Sequence, residues 1–267
     1  DKNSKFDLIT DINNISLKKI TEVPFKKILL PENDCVLTYQ NEKFDEPPAS
    51  SKKNIIIGAR ICDLNSLQIL DKVMKDPLYM KRRKNTILIG LYCSHPDKYC
   101  FCNSMSLDYT NCYDLFLFPL GNNYIIDVKT KKGESLVKNL PIIKKEIKIP
   151  KPKNTKKIYN LDIKNEYNNK IWETDTQKCL SCSACTVMCP TCNCFDFKDK
   201  TKNIKGNTSK RLRSSASCQL KSFSTVAGGK SFRDSRLSRF KHFVYHKISY
   251  YHQHHKRYMC VGCGRCL

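Results

Sequence analysis

Two short apolar runs, separated by an amphipathic segment, dominate the pattern of the first half of the chain. Residues 54–61 and 85–91 are rich in Ile and Leu and have the length of buried strands. Between them, Asp63 stands where a helix N-cap is expected, and apolar residues then recur along one helix face as far as Met74. A strand, a helix and a strand at this spacing predict a βαβ unit with parallel strands.

Three further segments have strand-like composition, at 34–39, 114–120 and 124–129. The last two are separated by a turn signal that begins at Gly121. Residues 1–34 are polar and predict a partly helical lead-in. We therefore expect an α+β protein whose first part, residues 1–140, is an α/β domain with a small βαβ-containing sheet.

The composition changes after residue 140. Residues 141–170 are rich in Lys, Asn, Pro and Ile, which predicts a basic linker or extended strap. We interpret the cysteine-rich remainder, residues 171–267, as a second, mainly helical, ferredoxin-like domain. Within it, apolar and basic residues alternate at helical spacing over 233–244, which predicts an amphipathic helix.

The formal net charge of +23 is concentrated in the second domain. Residues 200–259 hold 15 Lys or Arg and one acidic residue, Asp234. Such a surface is typical of proteins that bind nucleic acid, an anionic membrane or an acidic protein, although a Lys- and Asn-rich composition alone also produces it. The predicted helix is either a solvated basic face or a docking surface for an acidic partner, with candidate docking residues Arg233, Arg236 and Arg239.

Sixteen cysteines are the strongest chemical signal in the sequence. Four of them have the C-x2-C-x2-C-x3-C-P spacing of bacterial ferredoxins and are called run one: Cys179, Cys182, Cys185 and Cys189. Three more repeat its first part and are called run two: Cys260, Cys263 and Cys266. A zinc site usually uses two C-x2-C pairs, and three cysteines at three-residue steps followed by x3-C-P do not suit an ion held by two pairs. The runs therefore predict two [4Fe–4S] clusters lying close together.

Ferredoxin spacing also assigns ligands to the two clusters. Cluster one takes the first three cysteines of run one, and cluster two takes Cys189 together with run two. Gly262 and Gly264 leave room for the backbone to wrap that cluster. The fourth ligand of cluster one would fall four positions after Cys266, so we expect this domain to be truncated at its C-terminus. Three cysteines are left as a substitute ligand, another site or packing residues: Cys192, Cys194 and Cys218.

A third group of thiols follows from the predicted parallel sheet. Cys62 comes directly after the first strand and Cys93 shortly after the second, so both belong to the carboxyl edge, where ligands usually bind. Cys100 and Cys102 lie in the loop just beyond. Cys62 also adjoins a helix N-terminus, which favours its thiolate. We hypothesise a third [4Fe–4S] cluster at this edge site; zinc on the same ligands or unrelated buried thiols are the alternatives.

Several other functions lack their sequence patterns. No apolar run approaches the roughly 20 residues of a membrane span, and the first residues do not resemble a signal peptide. The chain has no G-x-G-x-x-G loop, no P-loop and no H-x3-H zincin pattern with a Glu, so we expect no catalytic residues. Thiols that serve as cluster ligands survive in a reducing compartment, so we expect a cytoplasmic protein.

Several motifs are shared with a known family: GARICDL at 58–64, CFC at 100–102, CPTCNCFD at 189–196, AGG at 227–229 and CVGCGRC at 260–266. With these, the chain resembles the 4Fe–4S dicluster proteins represented by the iron–sulfur subunit of anaerobic sulfite reductase and the beta subunit of sulfhydrogenase-type NiFe hydrogenases. Ser183 is a departure, since a glycine is common in the family at that position.

The resemblance implies an iron–sulfur protein that relays electrons within a complex. Its partners would be a catalytic subunit that carries siroheme or a NiFe site and a flavin- and NAD(P)-binding subunit. The motifs do not distinguish the sulfite reductase from the hydrogenase. The alternative function is a basic metal-binding protein that binds nucleic acid, although no zinc-finger or RNP pattern supports it.

Overall fold

The structure is a computed structural model that describes residues 5, 7–11, 13, 17–47, 52–109, 111–143, 148–154, 156–203 and 208–266. The strands within these ranges are β1 Asn33–Gln40, β2 Lys43–Asp45, β3 Asn54–Ala59, β4 Thr86–Leu91, β5 Leu115–Leu120, β6 Asn123–Val128, β7 Phe195–Asn203 and β8 Thr208–Ser215. The α-helices there are α1 Lys26–Leu29, α2 Ile61–Val73, α3 Pro77–Lys84, α4 Lys131–Val137, α5 Ile171–Gln177, α6 Ala184–Val187, α7 Arg236–Tyr245 and α8 Tyr251–His255.

The first sheet has the order β3-β4-β5-β6 and contains the predicted βαβ unit. Strands β3 and β4 are parallel, with Asn54 opposite Thr86, and α2 crosses between them. Strand β5 is parallel to β4, and β6 returns antiparallel to β5 as the predicted hairpin. The N-cap of α2 is Arg60, so the predicted capping role of Asp63 is wrong. Asp63 lies in the first turn of α2 instead, where it forms an ion pair with Arg265.

The main hydrophobic core lies between α2 and this sheet. Leu64, Leu67 and Leu70 of the helix are fully buried against Leu88 and Phe116 of the strands. Each such side chain contributes about 1.5–3 kcal/mol when it leaves water. Helix and sheet therefore hold the carboxyl ends of β3 and β4 in a fixed position.

The second sheet has the order β2-β1-β8-β7, with every neighbouring pair antiparallel. The predicted strand at 34–39 exists, but it pairs with β8 from the far end of the chain, for example Cys35 with Leu212. The expectation of a mainly helical region over 171–267 did not include β7 and β8, which form a long hairpin there. Phe195 and Phe197 alternate with charged residues in β7, a strand pattern that the basic composition obscures.

A buried ionic cluster joins this second sheet to α3. Asp34 of β1 accepts from Arg82 of α3 and from Arg213 of β8, each at 2.8 Å. Arg213 also pairs with Asp76, the N-cap of α3, at 2.8 Å. The boundaries proposed at residues 140 and 171 stay a prediction, and these contacts cross them.

The predicted linker is an extended strap over its described residues, 141–143, 148–154 and 156–170, in which no helix or strand occurs. It is held at both ends of its path: the Asn103 side chain donates to the Pro152 carbonyl, and Tyr245 donates to the Ile163 carbonyl at 2.6 Å. Within the described part of the chain, no helix has the length and apolar character needed to cross a membrane.

Candidate iron–sulfur centres

The structure brings the four thiols of the edge site together. Cys62 lies in the first turn of α2, Cys93 follows β4, and Cys102 begins a short 3-10 turn. Cys100 interacts electrostatically with Cys93 and Cys102, and Cys62 interacts with Cys102. Because β3 and β4 are parallel, their carboxyl ends present these side chains at one edge, as the sequence predicts. Their role as ligands stays a prediction.

Burial governs the protonation of these thiols. Desolvation raises the pKa of Cys100 to about 12 and the pKa of Cys62 well above its usual value, with Asp63 adding to the latter shift. This direction is opposite to the expectation that the helix N-terminus favours the Cys62 thiolate, because burial and the Asp63 carboxylate both favour the protonated thiol. A positively charged group bound among these thiols would stabilise their thiolates.

The side chain of Asn154 contacts the edge site. Cys102 donates to the Asn154 Oδ1 at 3.2 Å, while the buried Asn154 Nδ2 has no hydrogen-bond partner among the described atoms. A bound [4Fe–4S] cluster would supply sulfur acceptors for such a donor. No three His, Cys, Asp or Glu side chains of the described residues lie close enough to hold a single metal ion. A cubane requires a wider arrangement, since each of its thiolates binds a different iron.

Run two bends tightly against the edge site. Gly262 and Gly264 have φ of 63° and 74°, and the Gly262 N–H donates to the Cys260 Sγ at 3.4 Å. A Cβ on Gly262 would lie 2.6 Å from the backbone nitrogen of Cys102. A Cβ on Gly264 would lie 2.8 Å from the carbonyl carbon of Tyr99. Both glycines are thus required by close approach as well as by backbone conformation.

Run one has the same backbone with different residues. Ser181 and Ser183 have φ of 54° and 68°, and the Ser181 N–H donates to the Cys179 Sγ at 3.4 Å. The hydroxyls of both serines are buried without a hydrogen-bond partner in the described structure. Two free O–H donors beside thiols fit a cluster whose sulfurs accept hydrogen bonds.

Cys189 of run one lies near the cysteines of run two, and its predicted role as a ligand of cluster two stays a prediction. Cys260, Cys263 and Cys266 each interact electrostatically with Cys189. Cys185 interacts with the first two cysteines of run one. This crossover suits two adjacent cubanes.

Run two also contacts the edge site directly. The Phe101 N–H donates to the Gly262 carbonyl at 2.8 Å, and the Cys100 thiol donates to the Cys263 carbonyl at 3.4 Å. Next to them, Arg265 of run two forms a buried bidentate pair with Asp63, at 2.7 and 3.1 Å. The three groups of thiols therefore form a row: edge site, run two, run one.

Known proteins share the cysteine-rich part of this chain. The family described as a 4Fe-4S dicluster domain matches residues 178–267. Sulfhydrogenase 2 subunit beta of Pyrococcus furiosus is 33% identical to this chain, in an alignment that covers 98% of this chain and 83% of the relative. The chain belongs to the sulfhydrogenase beta-subunit family. No solved structure matches it at a significant level. The predicted resemblance is confirmed, and the chain is an iron–sulfur protein.

Three cysteines that the sequence left open, Cys192, Cys194 and Cys218, lie close to Cys189 or to one another. Cys192 contacts Cys189, and Cys194 contacts Cys218. The hydrogen bond from Cys218 lowers the pKa of Cys194 to about 6. Whether any of the three is a ligand stays a prediction.

Two lysines that the sequence did not single out as site residues accompany these thiols, the buried Lys247 and the half-buried Lys26. Lys247 donates to the Thr191 hydroxyl at 2.8 Å, and that hydroxyl lies 3.2 Å from the Cys189 sulfur. Lys26 donates to the Cys192 carbonyl at 2.7 Å. Burial alone would lower the pKa of Lys247. The electrostatic attraction of the nearby thiols, first among them Cys189 and Cys192, is larger in sum, so the net effect is to raise the pKa of Lys247. The proximity of the two lysines to these thiols is visible only in the tertiary packing, because the two lysines are far apart in the sequence.

The predicted docking arginines have different environments. Arg239 is only 8% exposed and donates to the backbone carbonyls of Gln219, Arg233 and Asp234, so its predicted docking role is wrong. Arg239 faces inward because α7 packs against the rest of the protein with the face that carries its apolar residues. Arg236 is exposed and donates to the carbonyl of Cys179 in run one at 2.9 Å.

Proposed function

We propose that this chain is an electron-relay subunit in which three [4Fe–4S] clusters pass single electrons along a row. The observation that carries the proposal is the contact between the edge site and run two. The backbone hydrogen bond from Phe101 to Gly262 and the contact of Cys100 with Cys263 leave the two groups of thiols as immediate neighbours. Neighbouring clusters permit electron transfer through an otherwise insulating chain.

The ligands follow the three groups of thiols. The edge site would hold one cluster, Cys189 with run two a second, and the first three cysteines of run one a third. When bound, each cluster accepts and releases one electron at a time. The chain would hold the clusters in fixed positions, and the Gly262 and Ser181 N–H groups and the Asn154 amide would be available as donors to their sulfurs.

The partners proposed are a catalytic subunit that carries a NiFe site or siroheme and a flavin- and NAD(P)-binding subunit. The relative in Pyrococcus furiosus is named as the beta subunit of a sulfhydrogenase, which supports a catalytic partner with a NiFe site over one with siroheme.

Run one lies at the surface, where Leu180 is 83% exposed and Arg236 is exposed beside Cys179. An exposed apolar residue and an exposed arginine at the same loop suit an acidic partner, so we propose docking there.

Iron counting tests the proposal. Anaerobically purified protein with Cys100→Ser and Cys102→Ser should contain about four fewer irons than the parent chain, since one cubane loses two ligands. The matched control is Cys112→Ser, which removes another buried thiol outside the edge site. Equal iron in the double variant and the parent would exclude the third cluster. Absence of iron and acid-labile sulfide from the parent chain would exclude the electron-relay function altogether.

A further inference from the structure

The buried Lys247 contacts both segments that carry the ligands proposed for cluster two. Lys247 is 5% exposed, and its Nζ reaches the Thr191 hydroxyl, which in turn contacts the Cys189 sulfur. Its own carbonyl accepts from the Met259 N–H at 2.9 Å, directly before Cys260. The side chain of Lys247 is thus bound to the segment that carries Cys189, and its backbone to the segment that carries Cys260.

The local backbone is unusual at this point. Residues His246–Tyr250 form a π-helical turn between α7 and α8. Such turns are rare and are enriched at functional sites, because the extra residue changes the direction in which side chains leave the helix. Here the turn contains the buried Lys247, while Lys241, earlier in α7, lies over the Tyr167 ring at 4.7 Å.

The charge of Lys247 has no carboxylate partner. None of the ion pairs of the described residues includes it, and its electrostatic neighbours are the thiols Cys189, Cys192 and Cys260. A buried ammonium group without a counter-charge is costly. Thiolates on a cluster would provide that counter-charge, so the placement of Lys247 is consistent with a negatively charged group beside it.

We propose that Lys247 is a positioning residue whose buried positive charge raises the reduction potential of cluster two relative to the other clusters. This rests on the proposed function. Reduction adds one electron, delivered by a neighbouring cluster, and makes the cluster with its four thiolates one unit more negative. A fixed positive charge in a low-dielectric interior favours the more negative state. Cluster two, in the middle of the row, would then hold an electron more readily than its neighbours.

Redox titration followed by electron paramagnetic resonance tests this on the full chain with its partner subunits. Lys247→Met should shift one midpoint potential to a more negative value and leave the other clusters unchanged. Lys247→Arg, which keeps the charge, should stay near the parent value. Lys241→Met removes the same charge from α7 outside the thiol cluster and should shift nothing. The shifted signal is assigned to cluster two by its loss in Cys260→Ser.

Unchanged potentials in Lys247→Met, or equal shifts of every cluster, would overturn the inference. If Lys247→Met loses iron, the comparison with Lys247→Arg decides: iron retained by the arginine variant supports a need for the charge, and iron lost from both indicates packing only and overturns it. Thr191→Val keeps the charge and removes its anchor, so a smaller shift in the same direction is expected. A parent protein that contains clusters with unmoved potentials would refute this inference and leave the proposed function intact.

Discussion

Run one and run two share a backbone but differ in their surroundings. Both place left-handed residues at the same two positions, and in both an N–H donates to the first sulfur at 3.4 Å. The residue after the first cysteine is Leu180 in run one, which is 83% exposed, and Val261 in run two, which is 2% exposed. One cysteine loop faces solvent, whereas the other is packed into the protein.

The difference shows what determines each residue of a cysteine loop. The left-handed conformation follows from the path of the chain around the sulfurs, so it occurs in both runs. Glycine is required only in run two, where a Cβ would meet the backbone of the edge-site loop. In run one, Ser181 and Ser183 adopt the same conformation and bring hydroxyl donors close to the thiols. Run two therefore has glycine at these two positions because its backbone packs closely against the edge-site loop, whereas run one has serine because no such contact is made.

The largest expected effect concerns the ion pair that fixes run two. Asp63→Ala would leave Arg265 buried without its partner, which costs about 3–5 kcal/mol of folding free energy. The equivalent position in run one is Ala184, which has no such anchor. Urea denaturation of the anaerobic protein measures the loss. Asp63→Leu combined with Arg265→Met should recover most of it, and no recovery would show that the pair has a further role.

The next effect tests the close approach of run two. Gly262→Ala adds a Cβ 2.6 Å from the Cys102 backbone in a left-handed conformation, and we expect a loss of about 2–5 kcal/mol. Ser181→Ala at the equivalent position of run one should change stability by less than about 0.5 kcal/mol. Denaturation curves of the two variants give the comparison. Equal losses would mean that packing does not distinguish the runs.

The pH dependence of cluster assembly should be similar in the two runs. Burial raises the pKa of Cys185 to about 11 and that of Cys260 to about 12. Below these values each thiol must release a proton to bind iron, so iron uptake should rise with pH by about 1.4 kcal/mol per unit for each thiol. Iron content after anaerobic reconstitution at several pH values measures this. Uptake that is independent of pH would indicate that the thiols are already ionised.

The same shifts have the opposite effect on the iron-free chain. Because the folded pKa values lie above the usual 9.0, these thiols stabilise the fold below about pH 9 and lose that contribution as pH rises towards 11 or 12. Denaturation of the iron-free protein across this range provides the control.

The smallest effect relaxes run one. Ser183→Gly should stabilise the iron-free chain by about 0.5–1 kcal/mol, because relief of left-handed strain exceeds the entropy that glycine adds to the unfolded state. Ser183→Ala keeps the strain and should show no such gain. Thermal denaturation of both variants gives the answer. A destabilised glycine variant would show that the Ser183 hydroxyl contributes more than the strain costs.

Local pattern was sufficient for part of this molecule. The two apolar runs predicted parallel strands β3 and β4, and the position of Cys62 and Cys93 after them predicted that thiols meet at one edge. The pairing of β1 with β8 could not be predicted, since it joins segments far apart in the chain with no sequence signal for the partner. The same holds for Arg265 with Asp63 and for Lys247, whose roles depend on tertiary contacts. Arg239 looked like a surface charge because its backbone acceptors are invisible in the sequence.

The most direct test of the central claim, that three clusters lie in a row with run two in the middle, is electron paramagnetic resonance of the fully reduced protein. Clusters in neighbouring sites should give a spectrum broadened by spin–spin coupling. Removing the edge site with Cys100→Ser and Cys102→Ser should eliminate one component of that coupling and simplify the spectrum. A sum of independent signals in the parent protein, unchanged by these substitutions apart from intensity, would contradict the account.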